Sequence, residues 1–137
     1  MTKIIQLLAF PTFAQNKPYD PSKDAYKDYQ SALNEAKEEN KNIFIVVGGN
    51  WCMHCLKFDA KFRNSKTYKI IEESFIYLKV NYSDENKNEE FFGLFPKIVG
   101  YPHVLVISPK GAVLEQNFVP HYKSDKEFNN MIKRHVI

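Results

Sequence analysis

Ile43-Phe44-Ile45-Val46-Val47-Gly48-Gly49-Asn50-Trp51-Cys52-Met53-His54-Cys55 joins an apolar run to a Cys-x-x-Cys tetrapeptide through two glycines. Ile43 to Val47 is mostly β-branched, too short for a helix, and bounded by polar residues and glycine, which predicts a strand buried on both faces. The segment after Asn50 predicts a helix from Cys52 to about Phe62. Both cysteines thus sit where a buried strand hands over to a helix.

Three chemical consequences follow. Cys52 occupies the start of the helix, where unpaired N–H groups and the helix dipole favour an anion. A thiolate is stabilised there, and cysteines in such settings have pKa values lowered from about 8.5 into the range of about 3.5–7.5. Cys55 lies one turn deeper, close enough to bond to Cys52 but more shielded. His54 adds a nearby positive charge that further favours the thiolate. As a staple the pair is weak, because closing so short a loop stabilises a fold by only about 2 kcal/mol, against about 4.7 for a loop of a hundred residues. As a redox couple it is well placed.

Working outward, Asp24 to Asn40 carries Tyr26, Tyr29, Leu33 and Ala36 at three- and four-residue steps, the periodicity of an amphipathic helix that Asn40-Lys41-Asn42 ends. A short helix is expected from Thr67 to Ser74 and a strand from Ile76 to Asn81. Ser83 to Asn88 is polar and reads as a solvent loop. Glu89 to Phe95 forms a helical turn carrying Phe91, Phe92 and Phe95, which are expected to pack in the core. His103 to Ser108 reads as a strand, and Pro109-Lys110-Gly111 turns it into a hairpin with Ala112 to Phe118. Ser124 opens a final helix with Glu127 as its capping-box partner. This order predicts an α/β fold: a central mixed sheet with helices on both faces, parallel crossovers where helices intervene, and antiparallel edges from the last hairpin.

Length and composition bound the rest. The 137 residues fit one domain, and 44% hydrophobic with 26% charged residues is a globular composition. Lysine and arginine number 19 against 16 acids, a net charge of +3 with no dense basic stripe, so nucleic acid is not an expected partner. The two cysteines exclude a multi-disulfide scaffold and a four-thiolate zinc site within one chain. Residues 1–14 read as a secretory signal, with one lysine, an apolar run from Ile4 to Phe10 and small residues at Thr12 and Ala14; an N-terminal strand is the alternative. Residues 15–23 read as a linker and 24–137 as the domain. No stretch approaches the roughly 20 apolar residues of a membrane span.

At Trp51-Cys52-Met53-His54-Cys55, followed by Gly100-Tyr101-Pro102-His103 before a strand, the chain resembles the thioredoxin-fold family in its secreted bacterial, disulfide-interchange branch. The resemblance covers roughly residues 24–135. It implies a thioredoxin fold, a cis Tyr101–Pro102 bond beside the cysteines, and a Tyr101 backbone that pairs with an extended substrate segment. It also implies thiol–disulfide exchange with protein cysteines: Cys52 forms the mixed disulfide and Cys55 resolves it. Trp51, Met53, Tyr101 and Pro102 would shape the docking groove, and Lys79 would assist proton transfer. The chain departs from the family pattern at Val46, where a buried acid often stands, leaving water, Lys79 or a carboxylate such as Asp59 to move the proton. Met53-His54 replaces the Gly-Pro of ordinary thioredoxins and is similar to the oxidising members.

The reading therefore expects a periplasmic or secreted oxidoreductase (cytoplasmic being the alternative), leaning to reductase over oxidase or isomerase. It expects no cofactor beyond the Cys52–Cys55 disulfide, no metal, a redox partner protein, and a monomer. A Cu(I) or zinc carrier and a non-catalytic adaptor are the rival readings. His103, His121 and His135 are expected at the surface.

Overall fold

The computed structural model describes residues 17–137, so the signal expected at 1–14 lies outside the described residues. In chain order the elements are α1 (Ala25–Glu39), β1 (Asn42–Gly48), α2 (Met53–Arg63), α3 (Lys66–Ser74), β2 (Phe75–Asn81), α4 (Glu89–Phe92), β3 (His103–Ile107), β4 (Val113–Phe118), a 3-10 turn (Val119–His121) and α5 (Asp125–Arg134).

Every residue of β1 is buried, as a strand must be when it lies inside a sheet covered on both faces. The sheet order is β2-β1-β3-β4. Alternation along β1 divides its side chains between two cores. Ile43, Ile45 and Val47 pack with Tyr29, Ala32 and Ala36 of α1 and with Phe91. Phe44 and Val46 face the other way, onto Phe62 of α2, Ile71 of α3, and Phe128, Met131 and Ile132 of α5. The helix α1 with the short α4 thus covers one face, and three helices cover the other.

Local chemistry sets the ends of these elements. Asp24 caps α1 by accepting from the Lys27 N–H, and Asn40 ends it in the left-handed region at φ 55°, a conformation asparagine tolerates better than most residues. Ser124 accepts from the Glu127 N–H at 3.1 Å. Glu127 reaches back to the Lys123 N–H, one residue upstream of the reciprocal capping-box bond.

Four expectations are corrected. The β2-to-β3 connection is not a parallel crossover: β2 runs parallel to β1, but β3 is antiparallel to it. The intervening α4 has only four residues, short of a crossover helix that would return the chain in the same direction. His103 is buried, because its place on β3 opposite Val47 puts it inside the sheet. His135 is half-buried and not at the open surface, with its ring nitrogen 3.2 Å from Glu115 and its carbonyl accepting from Asn42. The polar stretch after β2 is not wholly a solvent loop. Ser83 is buried, and Asn86 and Asn88 bind backbone carbonyls of Pro21, Lys23 and Asn81, which ties the loop to the start of α1.

The phenylalanines divide in a graded way. Phe91 is fully buried, and Phe92 and Phe95 pack against the same core with partial exposure.

Candidate active site

The site forms where β1 ends. Because β1 and β2 are parallel, both C-terminal ends open on the same rim, the usual place for ligand chemistry in sheets of this type. Gly48 and Gly49 permit the close approach this needs. A methyl group on Gly48 would stand 2.7 Å from Cys55 Sγ and 2.7 Å from Tyr19 Oη, and one on Gly49 would lie 2.6 Å from the Tyr82 carbonyl oxygen. Real Cβ atoms do not come that near, so larger residues would push the strand away from the cysteines.

Cys52 is the N-cap of α2. Its backbone is extended at φ −100° and ψ 108°, its N–H donates to the Gly49 carbonyl, and its Sγ accepts from the Cys55 N–H at 3.2 Å. A sulfur at this position takes up one of the helix's otherwise unpaired donors and faces the positive end of its dipole. Cys52 and Cys55 form a disulfide with their Cα atoms 5.2 Å apart. The two sulfurs differ in access: Cys52 retains 7% exposure and Cys55 has none. Of the two sulfurs, only that of Cys52 keeps access to the surface.

The front of the disulfide is aromatic. Trp51 and Met53 are 58% and 63% exposed. The Trp51 Nε1–H donates to the Tyr82 carbonyl at 2.7 Å, and its ring meets the Tyr101 ring edge-on at 5.8 Å. Tyr101 stacks on Tyr82 at 5.3 Å, and Tyr82 meets Phe92 edge-on. The Tyr101–Pro102 peptide bond is cis, and the Tyr101 carbonyl oxygen lies 3.9 Å from Cys52 Sγ. Sequence reasoning singled out Trp51, Met53, Tyr101 and Pro102, expected Phe92 in the core, and missed Tyr82. The signal for Tyr82 was its position immediately after β2, a strand parallel to the one leading to Cys52.

Behind the disulfide lies a buried polar floor. Asp59, one turn beyond Cys55 on α2, is almost fully buried. It binds Lys79 of β2 and Arg63 Nε, the latter at 2.7 Å. Lys79 pairs in register with Val46, so the position that lacks an acid on β1 has beside it a lysine bound to Asp59. Burial draws the Lys79 ammonium below its ordinary pKa, against the opposing pull of Asp59, and the Asp59 carboxylate raises that of Arg63.

Tyr19 was the residue missed altogether. It lies in the stretch read as linker, yet it is almost completely buried and packs directly on Cys52 and Cys55. Asn50, two residues before Cys52, clamps it by accepting from its N–H at 3.0 Å and donating to its carbonyl at 2.7 Å. Lys79 Nζ sits 4.8 Å from its ring centroid. A lone aromatic between Pro18 and Asp20 carries no periodicity, so nothing local announces its burial.

The remaining expected residues are placed plainly. His54 is exposed on the first turn of α2. His103 is shielded from water, neither ring nitrogen has a hydrogen-bond partner, and burial pushes its pKa down to about 4. Among the described residues no group of three or more His, Cys, Asp or Glu is arranged to hold a metal ion. None of their helices is long and apolar enough to cross a membrane.

Known proteins share this arrangement. A family model described as Thioredoxin-like matches residues 24–109. Anterior gradient protein 2-B of Xenopus laevis is 32% identical over 80 residues, 58% of this chain and 49% of that protein; the chain thus spans about half the length of this relative. Among solved structures, a disulphide isomerase from Xylella fastidiosa Temecula1 superposes with a TM-score of 0.73 and 26% identity, covering 85% of this chain and 95% of that one. The C-terminal domain of Neisseria meningitidis DsbD, in its oxidised form, shares the fold with a TM-score of 0.63 at 15% identity, covering 82% and 96%. The four-stranded mixed sheet and the helix-capping cysteine pair are therefore those of a thioredoxin fold, and the chain belongs to the Thioredoxin-like family.

Proposed function

We propose that the protein is a thiol–disulfide oxidoreductase that exchanges disulfides with cysteines of other proteins. The observation that carries this reading is the asymmetry of the Cys52–Cys55 pair: one sulfur caps a helix at an aromatic rim, and the other is sealed beneath it.

The steps follow from that geometry. In the reduced protein the Cys52 thiolate, favoured by the start of α2, attacks a client disulfide. One client sulfur leaves as a thiolate and takes a proton from solvent, and the other remains bonded to Cys52. Cys55 loses its proton and attacks Cys52 Sγ; the Cys52–Cys55 bond forms as the client sulfur departs. Run backwards, the same steps oxidise a client dithiol. Trp51, Met53, Tyr101 and Pro102 form the docking groove, with the Tyr101 backbone beside Cys52 aligning an extended client segment. His54, one residue before Cys55, tunes the thiolate by its charge when protonated, and Lys79 with Asp59 assists proton movement at Cys55.

In this reading the disulfide itself carries the electrons, with no organic cofactor, and a second redox protein restores the pair. The working direction is reduction, outside the cytoplasm. Disulfide exchange is supported by the printed description of the Xylella neighbour as a disulphide isomerase, and the location by the signal-like residues 1–14.

Reduction of insulin by dithiothreitol, followed as turbidity, tests the activity. The wild type should accelerate it, and Cys52→Ser and Cys55→Ser should lose most of the acceleration. Equal rates in all three proteins would overturn the reading. Equilibration with glutathione then tests direction: a reductase should have a potential more negative than about −230 mV, and a value near −120 mV would make the protein an oxidant.

A further inference from the structure

We propose that Tyr19 is a positioning residue for the resolving thiol: when the disulfide opens, its hydroxyl donates a hydrogen bond to the Cys55 thiolate. The inference rests on the oxidoreductase reading and concerns how Cys55 is activated where β1 supplies no acid at Val46.

Proximity is the first observation. Tyr19 Oη and Cys55 Sγ both lie 2.7 Å from the point a Gly48 methyl would occupy, so the two atoms share the space above one glycine and are no further apart than twice that distance. The second is an unmet donor. The Tyr19 hydroxyl is buried and has no hydrogen-bond partner while the cysteines are joined, a rare condition for a buried polar group. A disulfide sulfur is a weak acceptor, whereas a thiolate accepts strongly. Opening the disulfide therefore creates, beside an idle donor, the acceptor it lacks. The third is rigidity: the Asn50 clamp fixes the Tyr19 backbone, and the Lys79 ammonium over the ring holds its plane.

Tyr19 acts as a donor and not as a base. Burial, reinforced by the Asp59 charge, pushes its pKa upward, so the phenol keeps its proton throughout. During resolution the Cys55 thiol gives up its proton, which Lys79 and Asp59 relay to solvent water, and its thiolate, held by the Tyr19 O–H, attacks Cys52 Sγ. The Cys52–client bond breaks as the Cys52–Cys55 bond forms, and the client thiolate takes a proton from water. The other titratable or charged groups around the pair are Cys52 and His54 at the start of α2, Asp59 and Arg63 further along it, Tyr77 and Lys79 on β2, and Tyr101 before β3. Tyr19→Phe leaves all of these in place and removes only an oxygen that has no partner in the oxidised protein.

The test is the pH dependence of alkylation of a single cysteine by iodoacetamide. In the Cys52→Ser protein, Tyr19→Phe should move the Cys55 midpoint upward by about one pH unit, slowing alkylation about tenfold below it. In the Cys55→Ser protein the Cys52 profile should not move. An unchanged Cys55 profile, or equal shifts of both cysteines, would overturn the proposal. A second measurement needs no change at Tyr19: in the Cys52→Ser protein the Tyr19 ring resonance should titrate with the Cys55 midpoint, and a flat resonance would overturn it. These readings concern the thiol alone, so failure of the wild type to reduce insulin would overturn the proposed activity without deciding the role of Tyr19.

Discussion

The two sides of the Cys52–Cys55 disulfide are built differently. In front, Trp51 and Met53 are largely exposed, and the row Trp51, Tyr101, Tyr82 and Phe92 holds together by ring contacts and one indole hydrogen bond. Behind, Tyr19, Lys79 and Asp59 form a floor in which the carboxylate and the phenol are withdrawn from water and the ammonium is partly so. Of the two sulfurs only Cys52 keeps any exposure, so in the proposed exchange a client meets Cys52 at the front and the floor acts on Cys55, the sulfur it does not touch. The two sulfurs of one four-residue motif differ because the first cysteine caps α2 and the second lies within its first turn.

That division is most severely tested by separating the cysteines. Cys55→Ser should leave Cys52 able to attack, so mixed disulfides with client peptide accumulate on non-reducing gels. Cys52→Ser should give essentially none, a difference of several orders of magnitude in trapping rate. Comparable trapping by both variants would show that the front and back are not distinct.

Next in size is the floor. Asp59→Ala removes the carboxylate from Lys79 and Arg63, and breaking a buried pair from one side costs about 3 kcal/mol, read as a lower urea midpoint at unchanged slope. Lys79 is partly reached by solvent, so the loss should fall toward about 2 kcal/mol if its ammonium turns outward.

His103 offers a test that depends on pH. Its pKa is held at about 4 in the folded protein, below the ordinary 6.5, so the unfolded chain binds the proton more readily. Stability from the neutral, buried ring is complete above about pH 6.5. It begins to fall below that pH and is fully lost below about pH 4, a loss of up to about 3 kcal/mol. His103→Leu should flatten this part of the melting-temperature profile relative to the wild type, while carboxylate effects remain in both. Parallel profiles would show that His103 is not shielded as described.

The smallest expected change in stability is at the rim. Trp51→Ala removes a side chain that is mostly in water, so unfolding should shift by under about 1 kcal/mol, while exchange with a peptide disulfide slows several-fold. A large loss of stability with normal exchange would make Trp51 part of the core and erase the contrast.

Much of this was legible in the chain because the informative signals are local. The run Ile43 to Val47 has the composition only a doubly covered strand tolerates, and the helix after Cys52 follows from its sequence. The order of elements matched as well. What was not legible depends on contacts between distant residues. The direction of β3 is set by pairing with β1, which no local pattern in His103 to Ile107 encodes. His103 looks polar in isolation, and its burial comes from the strands on either side. Tyr19 sits among proline, lysine and aspartate, and only Asn50, 31 residues later, brings it to the cysteines. In the candidate site, the front residues near the motif were readable, whereas the floor required the register that sets Lys79 beside Val46.

The asymmetry of the two sulfurs is tested most directly by competitive alkylation of the reduced wild-type protein. With limiting iodoacetamide at pH 7, peptide mapping should find Cys52 modified at least about tenfold faster than Cys55, as expected for an accessible thiolate at a helix start. Equal labelling, or faster labelling of Cys55, would contradict the account.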